Sequence, residues 1–169
     1  MLRRVAFIKA ILAGVGGALA WEVAARIAIW AGLPVFDITK TLGTMLFRPH
    51  QPLLWWPVGL IGHCVVGAIW AVFYAYFIWS VWKVALPLQG LAFSSLPIAL
   101  AGFIMVPQIG FMHPLVLNGD MPSPRLFAIE LGWGGPVGII FGHFVYGVTM
   151  GTIYRWPVGT PVKRELAHA

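Results

Sequence analysis

The chain has 169 residues, 60% of them hydrophobic and 9% charged, with a formal net charge of +6 and a mean hydropathy of +0.86. A soluble domain carries about 25% charged residues, so this composition excludes one; nine Trp and twenty Gly fit a polytopic membrane protein instead, with the lipid bilayer as its first partner. The basic residues are too few and too segregated for a nucleic-acid surface, and the single cysteine, Cys64, excludes an internal disulfide and reads as a small apolar filler.

An apolar run extends from Val5 to about Ala31, broken only by Lys9, Glu22 and Arg26. Arg3-Arg4 and Ala18-Leu19-Ala20 imitate an export signal and its cleavage site. The apolar pattern continues past Trp21, however, so the run is expected to stay as a first transmembrane helix. Ala13, Gly14, Gly17 and Ala18 give it a surface that another helix can approach closely. Gly32-Leu33-Pro34 ends it. Asp37 is placed as the N-cap of a short interfacial helix through Phe47, with Ile38, Leu42, Met45 and Leu46 on one side and Lys40, Thr41 and Thr44 on the other.

A second span is expected from about Leu53 to Trp82, with Trp55 and Trp56 at one end and Trp79, Trp82 and Lys83 at the other. It exceeds the roughly 20 residues needed to cross, so tilt or overhang is expected. A tight connection from Val84 to Gln89 leads to a third span, about Leu88 to Phe111, in which Pro97 and Pro107 should kink the helix. After His113-Pro114 and Asn118-Gly119-Asp120, Ser123 reads as an N-cap with Pro124 at the first helical position, opening a short helix through Leu131. Trp133-Gly134-Gly135 hinges into the fourth span, Pro136 to Tyr154, followed by a polar tail.

Four spans put both termini on one side. Arg3, Arg4, Lys9, Lys83, Arg155, Lys163 and Arg164 fall there, against Lys40, Arg48 and Arg125 on the other. The positive-inside rule then assigns both termini to the cytoplasm and the two long connections to the outside.

The pattern G-H-x3-G-x6-Y occurs twice at constant spacing, as Gly62-His63, Gly67, Tyr74 and as Gly142-His143, Gly147, Tyr154. The fold expected is an all-α membrane protein of four transmembrane helices, arranged as two parallel two-helix repeats with short interfacial helices in the outer connections. One integral membrane domain covers 1–169, with repeats at about 5–82 and 88–155 and a tail at 156–169. His63 and His143 should share a depth, each about 16 Å above its tyrosine by helical rise. Gly59, His63, Gly67, Trp70 and Tyr74 lie on one face, as do His143, Gly147, Met150, Gly151 and Tyr154. Gly59, Gly62, Gly67, Gly142, Gly147 and Gly151 either let helices pack backbone to backbone or leave room for a flat ligand beside an imidazole. Tyr74 and Tyr154 are expected as interface anchors.

Glu22 and Arg26 stand one turn apart and can pair. Such groups at depth are costly and face the bundle interior, so Glu22 is either satisfied by Arg26 or a partner of His63 or His143. Gln108 and His113 are candidates to line the same site.

Gly32, Leu33, Pro34 and Asp37 form a GLPxxD segment; W-P-x5-H-x3-G-x6-Y runs from Trp56 to Tyr74, and GHFxxGxxxGxxY from Gly142 to Tyr154. In these motifs the chain resembles small four-span bacterial membrane proteins of the domain-of-unknown-function families, distantly YagU-like. The resemblance implies a bacterial inner-membrane location and gives His63, His143 and Asp37 the standing of family positions. It carries no activity, because the function of that group is not established.

Three functions fit this sequence. The first is an accessory or structural subunit of a homo-oligomer or larger membrane complex, favoured by the small-residue faces and by the lack of a nucleophile–base pair, phosphate loop, H-E-x-x-H or C-x-x-C. The second is an electron-carrier module in which His63 and His143 ligate haem b or a transition metal; a shared metal would hold their nitrogens roughly 4 Å apart. The third is a small homo-oligomeric transporter or channel using Glu22.

Overall fold

A computed structural model of the chain describes residues 5–82 and 88–155. Arg3, Arg4, Lys83, Lys163 and Arg164, residues 84–87 of the expected Val84–Gln89 connection and the 156–169 tail lie outside the described residues.

The protein is an all-α membrane protein with four helices long and apolar enough to cross a bilayer: α1 (Phe7–Trp30), α3 (Pro52–Trp79), α4 (Leu88–Met112) and α6 (Gly134–Arg155). Short helices α2 (Ile38–Thr44) and α5 (Pro114–Leu117) lie between them. Helix α1 stops where the sequence says it should. Gly32 adopts φ +77°, so that its N–H reaches the Ile29 carbonyl and the Leu33 N–H reaches that of Ala28. This glycine-terminated closure satisfies carbonyls that the helix end would otherwise leave bare.

Helix α3 begins with Pro52 in its first turn, where the missing N–H is not needed. Its last turns widen into a π-helix at Tyr74–Trp79. Helix α4 keeps Pro97 inside a regular stretch and then widens into π-helix at Ala101–Met105, just ahead of Pro107. The expected disturbance at Pro107 thus takes the form of a wider turn, one of the few physical routes by which a helix absorbs a lost i→i−4 bond.

The spans form a row rather than a closed ring. Helix α1 packs on both α3 and α6, and α4 packs on the far side of α6. Helix α3 touches α4 only toward their shared end, where Trp70, Phe73 and Tyr74 meet Phe93 and the Tyr74 hydroxyl donates to Gln89 Oε1 at 3.0 Å. Toward the opposite end the two helices are separated by a cavity.

Apolar lipid gives helices no hydrophobic reason to associate, so close van der Waals packing must hold them. Two backbone contacts do this. A Cβ on Gly14 would lie 2.4 Å from the Gly67 oxygen, and one on Gly90 would lie 2.1 Å from the Gly147 oxygen. The first joins α1 to α3 and the second joins α4 to α6. Gly151 sits beside the second contact, its Cα 3.4 Å from the same hypothetical atom on Gly90. Gly59 lies against the Thr39 carbonyl and so seats α2 on α3, whereas Gly62 meets only Leu42 at an ordinary 3.7 Å and is no close-packing position.

Two expectations need correction. Tyr74 and Tyr154 do not stand exposed as interface anchors: both are buried, with their rings edge to face at 6.0 Å, and the Tyr154 hydroxyl accepts the Ala6 N–H at 3.0 Å. In α2 Thr39, Thr41 and Thr44 are buried while Lys40 is exposed. Thr41 and Thr44 donate to the carbonyls of Asp37 and Lys40 at 2.8 and 2.7 Å, so their hydroxyls enter the protein already satisfied. The Ser123-Pro124 start does not form a capped helix. Arg125, Phe127 and Ala128 have φ of +52°, +50° and +57°, and only an irregular 3-10 turn spans Leu126–Leu131. Packing overrides local preference here: the Phe127 ring lies over Gly102, Ala128 is buried against Gly135, and Ser123 rests on Gly110.

Candidate functional site

Both repeated histidines face inward and meet the same side chain. Trp21 of α1 lies 5.0 Å from His63 and 4.4 Å from His143, ring centroid to centroid, edge to face in both cases. By helical rise Trp21 is about 14 Å from the Trp30 end of α1, well inside the apolar layer. His63 and His143 are 6% and 8% exposed.

The local reason is visible in the glycines. A Cβ on Gly142 would lie 2.3 Å from the Trp21 ring, so the indole occupies the space this glycine frees. The flat group beside the imidazoles is therefore the protein's own. The ring of Tyr146, one turn farther along α6, covers Gly17, and its hydroxyl donates to the Gly67 carbonyl of α3 at 2.6 Å.

The two imidazoles differ in their hydrogen bonds. His143 Nδ1 lies 2.7 Å from the Ile139 carbonyl, which can only accept, so the hydrogen belongs on Nδ1 and the lone pair on Nε2. His63 Nδ1 is buried with no hydrogen-bond partner among the described residues. Such an atom carries a desolvation cost of about 1–3 kcal/mol.

Both rings line a cavity of about 220 Å³ between α3 and α4. Trp21, Gly67 and Tyr146 form its back, and α2 contributes Ile38 and Leu42 at one end, with Met45 just after it. The α4 wall, including Pro97, Ala101 and Met105, contains the π-helical turns. On its α4 side the lining residues Met105, Gln108 and Met112 are exposed.

The other polar candidates are placed elsewhere, except Gln108. Glu22 pairs with Arg26 (Oε1 to Nε, 2.8 Å) and accepts the Thr39 hydroxyl at 2.6 Å. Arg26 reaches on to Asp37 at 2.6 Å, while Asp37 caps α2 by accepting the Lys40 N–H at 2.9 Å. This chain ties α1 to α2 and does not touch the histidines. His113 is fully buried at the junction of the two long connections. Its Nδ1 accepts the Leu115 N–H at 3.2 Å, so its Nε2–H donates to the Thr41 carbonyl at 3.0 Å. It is a clamp between connections.

Among the described residues no three His, Cys, Asp or Glu side chains gather closely enough to hold a metal ion. Two imidazoles are half of a tetrahedral set. The cavity is also smaller than the roughly 300–1,000 Å³ typical of ligand pockets, so a haem between these rings does not fit. Comparison with protein-family models, with curated proteins and with solved structures finds no match.

Proposed function

We propose that the protein is a non-enzymatic binding module of the bacterial inner membrane, which takes part of a lipid-soluble molecule into the cleft between α3 and α4. The observation that supports this reading is the cleft itself: a mostly apolar cavity among the spans with an exposed α4 side, lined also by His63, His143, Gln108 and the Trp21 indole. The Tyr146 hydroxyl, though on the wall, is spent on Gly67. A mostly apolar hollow with a few polar groups is the usual form of a small-molecule site. At about 220 Å³ it suits a segment of a chain or a small ring.

A gene-duplication origin is part of the proposal. Gly67 and Gly147 occupy matched positions in the two copies, and each makes the backbone contact that joins its own pair of spans. On this reading the cleft stands where the second copy of the α1–α6 interface would be. The arrangement also suits an accessory subunit that presents a bound lipophile to a larger membrane complex, with both termini in the cytoplasm as the basic residues suggest.

The experiment is to extract the protein in mild detergent, measure retained lipophiles by mass spectrometry, and compare Ala101→Phe and Val66→Phe, which fill the cleft from opposite walls. Wild type should retain about one molecule per chain and both variants should lose it while melting normally. Equal retention in all three removes the cleft from the function.

A further inference from the structure

A second cavity, about 530 Å³, lies between the two long connections, and Met45 lines both it and the cleft. Its lining includes Lys40, Arg48, His50, Asn118 and Asp120. Lys40, Arg48 and His50 are exposed, and neither Lys40 nor Arg48 has an ion-pair partner among the described residues; Asp120, on the same wall, forms none with them. Residues 44–50 and 114–121 abut the ends of α3 and α4 at Pro52 and Met112. The cavity therefore stands at headgroup level, directly beyond the apolar cleft. Nearby, the Trp55 indole N–H donates to the Pro49 carbonyl at 3.0 Å, an aromatic placement typical of the interface.

We propose that this basic cavity binds the phosphate of an anionic lipid whose apolar chain passes Met45 into the cleft. The inference rests on the cleft reading and names the ligand class. Arg48 offers a planar fork that matches two phosphate oxygens, Lys40 a compact second charge, and the Asn118 amide further donors. Asp120 opposes the anion and sets the affinity below its maximum. Met45, unbranched and flexible, is the kind of side chain that lets a chain pass without a fixed channel. A zwitterionic lipid would bring a choline against Lys40 and Arg48, so the cavity discriminates between headgroups by charge.

The test is native mass spectrometry of the full chain in micelles doped with phosphatidylglycerol or phosphatidylcholine, with sodium phosphate as a third arm. Wild type should hold phosphatidylglycerol in preference. Each of Lys40→Gln and Arg48→Gln should weaken it about fivefold, since a basic residue near a lipid surface contributes roughly that factor. Asp120→Asn should strengthen it. Ala101→Phe should release both lipids. If Ala101→Phe releases lipid but the charge variants retain the full phosphatidylglycerol preference, the headgroup assignment is overturned and the cleft survives. If Ala101→Phe releases nothing while the charge variants act, the cleft reading fails instead. Competition by millimolar phosphate equal to that of the lipid would overturn the lipid as occupant.

Discussion

The Tyr146 hydroxyl of α6 donates to the Gly67 carbonyl of α3 at 2.6 Å, its ring lying against Gly17 of α1. It links two helices that otherwise meet through α1, and it forms the back of the cleft. The carbonyl also belongs to a helix, so this bond supplements the backbone ladder. Tyr146→Phe should cost about 0.5–1.5 kcal/mol, the usual range for one such bond. Thermal unfolding in detergent measures it; a loss well above that range would mean that the hydroxyl holds more than one contact.

The repeated histidines should respond differently to the same substitution. His63→Phe removes a buried nitrogen without a partner and keeps an aromatic edge against Trp21, so it should stabilise the empty protein by about 1 kcal/mol. For a chain of this length that is about 2–4 °C in Tm. His143→Phe forfeits the bond to Ile139 and should be neutral or mildly destabilising. Equal effects at the two positions would contradict the asymmetry.

Arg26 lies between two carboxylates, and Glu22 is 5% exposed. Arg26→Met leaves a buried carboxylate without a cation and should cost about 3–5 kcal/mol. The double variant Arg26→Met with Glu22→Gln should recover most of the loss, because the amide can keep the Thr39 hydroxyl. Failure of the second change to rescue the first would show that Arg26 matters mainly through Asp37.

Glycine positions separate into contacts and bystanders. Gly147→Ala places a methyl 2.4 Å from the Gly90 oxygen and should cost about 1–3 kcal/mol through overpacking. Gly62→Ala meets nothing closer than 3.7 Å and should change stability by less than about 0.5 kcal/mol. Chemical denaturation of the two variants side by side distinguishes them.

The spans, the Asp37 cap and the shared face of His63 and Gly67 were legible in the sequence, because hydropathy, capping and helical spacing are local properties. Gly14 with Gly67 could be anticipated only as small-residue surfaces; which surface meets which is decided by the packed bundle. The role of Trp21 was not legible, because a tryptophan in an apolar run carries no signal for its partners, and both histidines lie far along the chain. The cleft was hidden for a related reason: the distance between α3 and α4 is a property of four helices together. At Arg125 to Ala128 a good local signal, Ser-Pro, lost to Phe127 packing over Gly102.

The central claim is that a hydrocarbon chain enters the cleft and lies against Trp21 and His63. Filtered nuclear Overhauser measurements test it most directly, using isotope-labelled protein in deuterated detergent with a protonated lipid added. Cross-peaks from the His63 and Trp21 ring protons to lipid methylenes, abolished in Ala101→Phe, are the expected result. Ring protons that see only protein while outward-facing Ile61 and Ile69 see lipid would contradict it.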